Sequence, residues 1–316
     1  MRIGYFLSSE EYSPAQLIEQ AKGAERAGFQ SLWISDHYHP WVDAQGQSPF
    51  VWSMIGALSQ ATNLEITTAV TCPTVRIHPA VIAQAAATSA VLTGGRFRLG
   101  IGTGEALNEH IFGDAWPEEE VRLEMLEEAV EIMRGLWQGG TYSHHGKHYT
   151  VENARIYTLP DKPVEIHISG FGPKATEVAG RIGDGYVSVM PDGDLVSRFR
   201  ETGGGSKPAQ GAFKAAFAGS TDEGRLLAYE KWPNAGVPGE LSQVLPSPKH
   251  FEQASQLVTA EMMDDAFVCG NDPEAHLEMI RKYADAGFDE IYVGNTGPHY
   301  QGLFDMYASQ ILPKLG

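Results

Sequence analysis

The sequence predicts an α/β fold, a closed parallel (β/α)8 TIM barrel with inserted segments. Three observations carry that prediction. Eight short apolar runs alternate with stretches of helical period, joined mostly by short Gly- and Pro-rich connections. The first and last units echo each other: AERAGFQSLWISDH at 24–37 and YADAGFDEIYVGNT at 283–296 both read as helix, Ala-Gly-Phe, strand and polar exit. Finally, acids, histidines and a tryptophan follow directly on strands, and barrel sites gather at the carboxyl ends of strands. A doubly wound open sheet also alternates strands and helices, but it does not account for the echo.

Residues 2–7 form the first predicted strand, and Ser13-Pro14 caps and opens a helix that Gly28 ends. Leu32-Trp33-Ile34 is the second strand. A polar excursion at 38–50 precedes a helix over 50–61 and a third strand over 65–70. His78-Pro79 opens the next helix, Gly94-Gly95 turns, and Arg96 to Ile101 is the fourth strand. A long helix starts at Pro117 with acids where the helix dipole favours them, and Gly139-Gly140 ends it. Residues 141–159 read as a hairpin excursion; its histidines 144, 145 and 148 suit a Gly-centred turn better than a metal site. Strands five and six fall at 164–168 and 185–189, around a helix at 174–181. Residues 190–210, with GGGSKP, read as a mobile or poorly packed surface loop. Strand seven is expected at 211–219, helices at 222–232 and about 249–260, and a Pro/Gly-rich excursion at 233–248. A helix from Asp272-Pro273 to Gly287, strand eight at 290–293 and an amphipathic helix complete a single expected domain, 1–316.

Composition narrows the function. A formal charge of -17 leaves no basic excess to neutralise nucleic-acid phosphates or to seek an anionic membrane. No apolar run reaches membrane-spanning length, and Met1-Arg2-Ile3-Gly4-Tyr5 enters a strand without a secretory pattern. The two cysteines are far apart, which suits a reducing, cytoplasmic setting.

The stretch Ser35-Asp36-His37-Tyr38-His39-Pro40-Trp41 stands at the exit of strand two. Glu10 follows strand one, Cys72, Thr74 and Arg76 follow strand three, and Glu105 and Asn108 follow strand four. A histidine of near-neutral pKa can take the proton of an alcohol while hydride leaves the same carbon. A carboxylate such as Glu105 can hand a proton to an acceptor, and Trp41 offers an N–H donor. Three rival readings are open at this point. Glu10 and Glu105 could face each other as a glycosidase pair. Glu105 could simply cap the next helix. Asp36, His37 and His39 could suggest zinc, though their spacing lacks the usual signatures.

SDHYHPW at 35–41, TCPTVRIHPAVIAQA at 71–85, GIGTGEALNEH at 100–110 and GPKATEVAGRIGDGY at 172–186 together resemble a known family. It is the luciferase-like (LLM class) flavin and deazaflavin oxidoreductase superfamily. The nearer resemblance is to the branch of F420-dependent glucose-6-phosphate dehydrogenases and secondary alcohol dehydrogenases. The resemblance implies a bacterial luciferase-like barrel, a homodimer, coenzyme F420 and a small sugar or alcohol substrate. It implies His37 as base, Trp41 on the substrate oxygen, Glu105 as proton donor and Glu10 as supporting acid. It implies cofactor contacts at Asp36, Ala69, Val70, Cys72, Asn108, Phe171 and Gly172, no metal, and a cis peptide at Ala69-Val70.

The chain departs from the sugar-phosphate branch where that branch grips phosphate. Asp192 and Ala266 stand at a lysine and an arginine position, and Lys249 is out of register with the second lysine. An acid there repels a phosphate. The expectation is therefore a dehydrogenase of a sugar or secondary alcohol that does not require a phosphate. The alternatives are glucose-6-phosphate dehydrogenase itself, a reductase of a carbonyl or activated alkene, an FMN-dependent monooxygenase, and a non-catalytic sugar-binding barrel.

Overall fold

The computed structural model describes residues 1–315. Eight parallel strands close a barrel: β1 (Arg2–Leu7), β2 (Ser31–Ile34), β3 (Glu65–Thr68), β4 (Phe97–Ile101), β5 (Ile166–Ser169), β6 (Gly185–Ser188), β7 (Ala209–Ala216) and β8 (Glu290–Asn295). Each pairs with its neighbour in chain order, and β8 returns to β1 with Arg2 opposite Glu290. The open-sheet alternative is excluded by that closure. The hairpin Tyr142–His145 and Thr150–Ala154 lies outside the barrel as expected.

Local chemistry explains the units. Ser13 caps the helix Pro14–Ala27 by a reciprocal box with Gln16, and Gly28 leaves it at φ 98°. Gly287, its counterpart in the last unit, sits at φ 93°, and Phe29 and Phe288 are both buried behind these turns. Apolar side chains of the helices pack on the outside of the strands. Inside, Trp33 stacks on Tyr292 with ring centroids 4.5 Å apart and donates its indole N–H to Gln210 Oε1. Gly4 is glycine because a Cβ there would lie 2.3 Å from the Tyr292 ring.

Four expectations need correction. Residues 190–210 are not a loosely packed loop. Asp192 caps a helix, Gly193–Phe199, that buries Leu195, Val196 and Phe199 and runs into the turn Arg200–Gly204. The following glycines mask that short apolar face. Strand three is regular only to Thr68; the Ala69–Val70 peptide is cis, and beyond it the chain pairs once more, Thr71 with Ile101. The helix near 249–260 is Pro248–Ser255, followed by a separate 3-10 turn, Ala260–Asp265. The fourth concerns β7, which runs 209–216, and a short strand, Phe267–Cys269, that the sequence reading lacks. β6 covers Ala209–Gly211, and Phe267–Cys269 covers Lys214–Ala216 on the outward half of the same strand. The extra strand therefore extends the wall at the mouth of the barrel.

Candidate active site

The strand exits bring Glu10, Ser35, His37 and Trp41 together. Ser35 Oγ accepts the Ser9 N–H at 2.8 Å and donates to Glu10 Oε2 at 2.7 Å. Ser9 Oγ returns a bond to Ser35 O. Glu10, held this way, places Oε1 3.4 Å from His37 Nε2. Burial pushes the Glu10 carboxyl up, but the fields of His37 and Lys214 and the hydrogen bond from Ser35 outweigh it, leaving the pKa below the ordinary range. The Trp41 ring lies 5.0 Å from His37 and edge-on to Phe251. Among the described residues the Trp41 indole N–H donates to nothing, although its backbone N–H is held by Gln45 Oε1.

The histidine's tautomer follows from its neighbours. Nδ1 lies 3.3 Å from His39 O and 3.1 Å from Asn108 Nδ2. Asn108 Oδ1 accepts the N–H groups of Tyr38 and His39, which fixes the amide's orientation. Asn108 Nδ2 is thereby a donor at Nδ1, and the ionised Glu10 carboxylate faces Nε2, so these two neighbours favour the tautomer with its proton on Nε2. That amide has a second outlet in Glu105 Oε2 at 3.4 Å.

Glu105 is the other wall. It precedes the short helix Ala106–Glu109 but caps none of its N–H groups, and the side chain is partly exposed. The capping role is thereby removed. Asp36 is buried, with Oδ2 on the Thr71 hydroxyl at 2.8 Å and Oδ1 on Arg76 Nη2 at 3.0 Å. Cys72 is buried against Thr74, and burial and Glu109 push its thiol well up, so it is no nucleophile. Ala69 and Val70 are half-buried over the aromatic barrel interior. Phe171 and Gly172 form the rim beyond β5. Phe171 is exposed, and Gly172 opens the helix Pro173–Ile182 with no side-chain cap.

Arg76, which follows strand three as expected, bridges Asp36 to Glu109, whose carboxyl burial raises to about 7 against the pull of Arg76. Sequence reasoning missed Glu109, Glu11, Trp232 and Lys214. Glu11 accepts from Trp232 Nε1 and the Thr296 hydroxyl, both at 2.7 Å. Lys214 rises from β7 onto the Trp232 ring. Of these, Glu109 alone had a visible signal, as part of GTGEALNE. Asp192 spends its Oδ1 on the N–H groups of Asp194 and Leu195. Ala266 packs against an apolar cluster that also receives Trp41, and Lys249 is exposed. Among the described residues no three His, Cys, Asp or Glu side chains form a metal cluster. Among the described residues no helix is long and apolar enough to cross a membrane.

Comparison with known proteins places this arrangement. Residues 1–290 match the luciferase-like monooxygenase family. An F420-dependent glucose-6-phosphate dehydrogenase of Microbacterium testaceum is 33% identical over 327 residues, covering 100% of this chain and 97% of the relative. One of Nakamurella multipartita is 34% identical over 331 residues, covering 100% and 96%. A solved F420-dependent secondary alcohol dehydrogenase, in complex with an F420-acetone adduct, superposes with a TM-score of 0.93 at 31% identity, covering 100% and 99%. A coenzyme F420-dependent tetrahydromethanopterin reductase from Methanopyrus kandleri shares the fold, with a TM-score of 0.76 at 18% identity and full coverage of both chains. The chain belongs to the luciferase-like family, in its branch of F420-dependent oxidoreductases.

Proposed function

We propose that this enzyme transfers a hydride from a hydroxyl-bearing carbon of a sugar or secondary alcohol to coenzyme F420, and that it acts as a homodimer. The observation that carries the reading is that Glu10-supported His37, beside the free indole of Trp41, and the uncapped Glu105 share Asn108 at the carboxyl ends of the strands.

The residues present fit the cofactor. Ala69 and Val70 offer a half-buried apolar floor for a flat ring, and a Cβ at Gly102 would lie 2.9 Å from Val70 Cγ2. Gly172 heads an uncapped helix and has open space where a Cβ would be, which suits an anionic tail. Bound there, the deazaflavin supplies the carbon that accepts the hydride. His37 takes the hydroxyl proton, and Glu10 Oε1, facing Nε2, stabilises the imidazolium that forms. Trp41 Nε1 donates to the substrate oxygen. Glu105 delivers a proton from its carboxyl to the cofactor side of the cleft. Asn108 orients His37 and Glu105 at once. Asp36 and Cys72 support the floor through Thr71, Arg76 and Thr74. Reversing the proton movements gives carbonyl reduction by the same groups.

The relatives' names favour a second reading, glucose 6-phosphate as the substrate, and descent is the stronger argument for it. The side chains argue for a neutral substrate, since Asp192 is an acid locked in a helix cap and Ala266 is apolar. Supplying oxidised F420 with glucose, glucose 6-phosphate and propan-2-ol in turn tests both. Reduction of F420 by glucose or propan-2-ol supports the main reading, and reduction by glucose 6-phosphate alone supports the second. Under the main reading, Asp192→Lys raises turnover of glucose 6-phosphate relative to glucose.

A further inference from the structure

Lys214 is a cation with no hydrogen-bond or ion-pair partner among the described residues, beside two acids that are already engaged. It lies on the half of β7 that faces the mouth, opposite Gly294 on one side and Phe267 on the other. Its Nζ is 2.7 Å from the centroid of the Trp232 ring and 5.6 Å from that of Phe6. Among the described residues the ammonium appears in no hydrogen bond and no ion pair, although it has three donors. The neighbouring acids are already engaged. Glu10 takes the Ser35 hydroxyl and faces His37, while Glu11 takes Trp232 Nε1, the Thr296 hydroxyl and the Gly297 N–H.

A lysine kept only to balance two acids would be expected to bond to one of them. Lys214 instead remains partly exposed, on an aromatic face. Burial lowers its pKa to about 8, with Glu10 and Glu11 opposing, so it carries its charge at neutral pH. Trp232 belongs to the apolar cluster against which Trp41 packs, and Trp41 in turn faces His37. The ammonium therefore belongs to the substrate side of the cleft.

We propose that Lys214 is a substrate-binding residue, donating to a second oxygen of the substrate beyond the hydroxyl held by His37 and Trp41. This rests on the reading that the cleft takes a hydroxylated substrate. It makes the preferred ligand a polyol or sugar rather than a monofunctional alcohol. A hydrogen bond from a charged donor contributes roughly a tenfold or greater change in affinity.

Trp41 and Trp232 make the test independent of turnover, because their fluorescence reports ligand binding. The full chain is titrated with glucose and with cyclohexanol, alone and with reduced F420, which cannot accept a hydride. Lys214→Met is expected to weaken glucose by at least about tenfold more than it weakens cyclohexanol. Lys214→Arg should restore part of that difference. Equal loss on both ligands, no loss on either, or a wild-type protein that binds no glucose overturns the proposal. Should Lys214→Met not fold, Lys214→Gln is read against the same criterion. Because the titration needs no hydride transfer, failure of F420 reduction would count against the proposed reaction and leave this result standing.

Discussion

The two ends of the barrel both bury charge, and they spend it differently. At the amino-terminal end, Glu290 accepts from Arg98, Arg2, Gln210 Nε2 and the Tyr292 hydroxyl. Arg98 also reaches Glu65 and Glu165, and Arg2 is paired with Glu65. At the carboxyl end, Trp41 Nε1 and Lys214 have no hydrogen-bond partner among the described residues, and Glu105 has one long contact. A closed network fixes the strands, whereas an open one has donors and acceptors left for a ligand. Burial alone therefore does not mark the site; unspent hydrogen-bonding capacity beside a cleft does.

Two substitutions test that contrast and a third tests burial outside it, in order of expected size. His37→Ala should lower turnover by about a thousandfold, as removal of a general base does, while F420 binding persists. Comparing kcat with the F420 dissociation constant checks it, and unchanged turnover would remove His37 from the chemistry. Glu290→Gln should cost about 3 kcal/mol of stability, because Arg98 and Arg2 then lose their shared buried counter-charge and the donors of Gln210 and Tyr292 meet an NH2 group. Denaturant unfolding reads this, and a loss under about 1 kcal/mol would mean the closed network is not what holds that end.

The smallest effect lies outside the barrel. His276 is buried, with Nδ1 on the Tyr307 hydroxyl at 3.1 Å and, among the described residues, no side-chain or backbone partner within hydrogen-bond geometry for Nε2, and burial lowers its pKa to about 4. The unfolded chain takes up the proton near the ordinary pKa of 6.5, and the folded chain does not until about 4. Its contribution is thus intact above 6.5 and is lost as pH falls from 6.5 to 4. Wild type should lose about 2 kcal/mol more than His276→Phe between pH 7 and pH 4.5. Parallel losses in the two proteins would show that His276 is protonated while folded.

Much of the barrel was legible in the sequence. Strands buried on both faces leave apolar runs, and glycines at left-handed helix ends punctuate them, as at Gly28 and Gly287. The candidate site residues that follow strands, such as Glu10, His37 and Glu105, could be picked out once the strands were. Those inside or beyond regular elements were not. Lys214 sits in GAFKAAF, where a lone lysine reads as a solvent-facing position, and only the splaying of β7 from β6 turns it to the mouth. Phe267–Cys269 is too short to show a strand period. Asp192 invited comparison with a phosphate ligand, but its carboxylate is committed to a helix cap.

The central claim is that the open end of the barrel carries F420-linked oxidation of a hydroxyl carbon. The direct measurement is the absorbance of oxidised F420 mixed with the enzyme and each of glucose, glucose 6-phosphate and propan-2-ol. The account predicts loss of the deazaflavin's visible band with at least one of them, in proportion to enzyme and dependent on His37. Tight binding of FMN with no binding or reduction of F420 would contradict it.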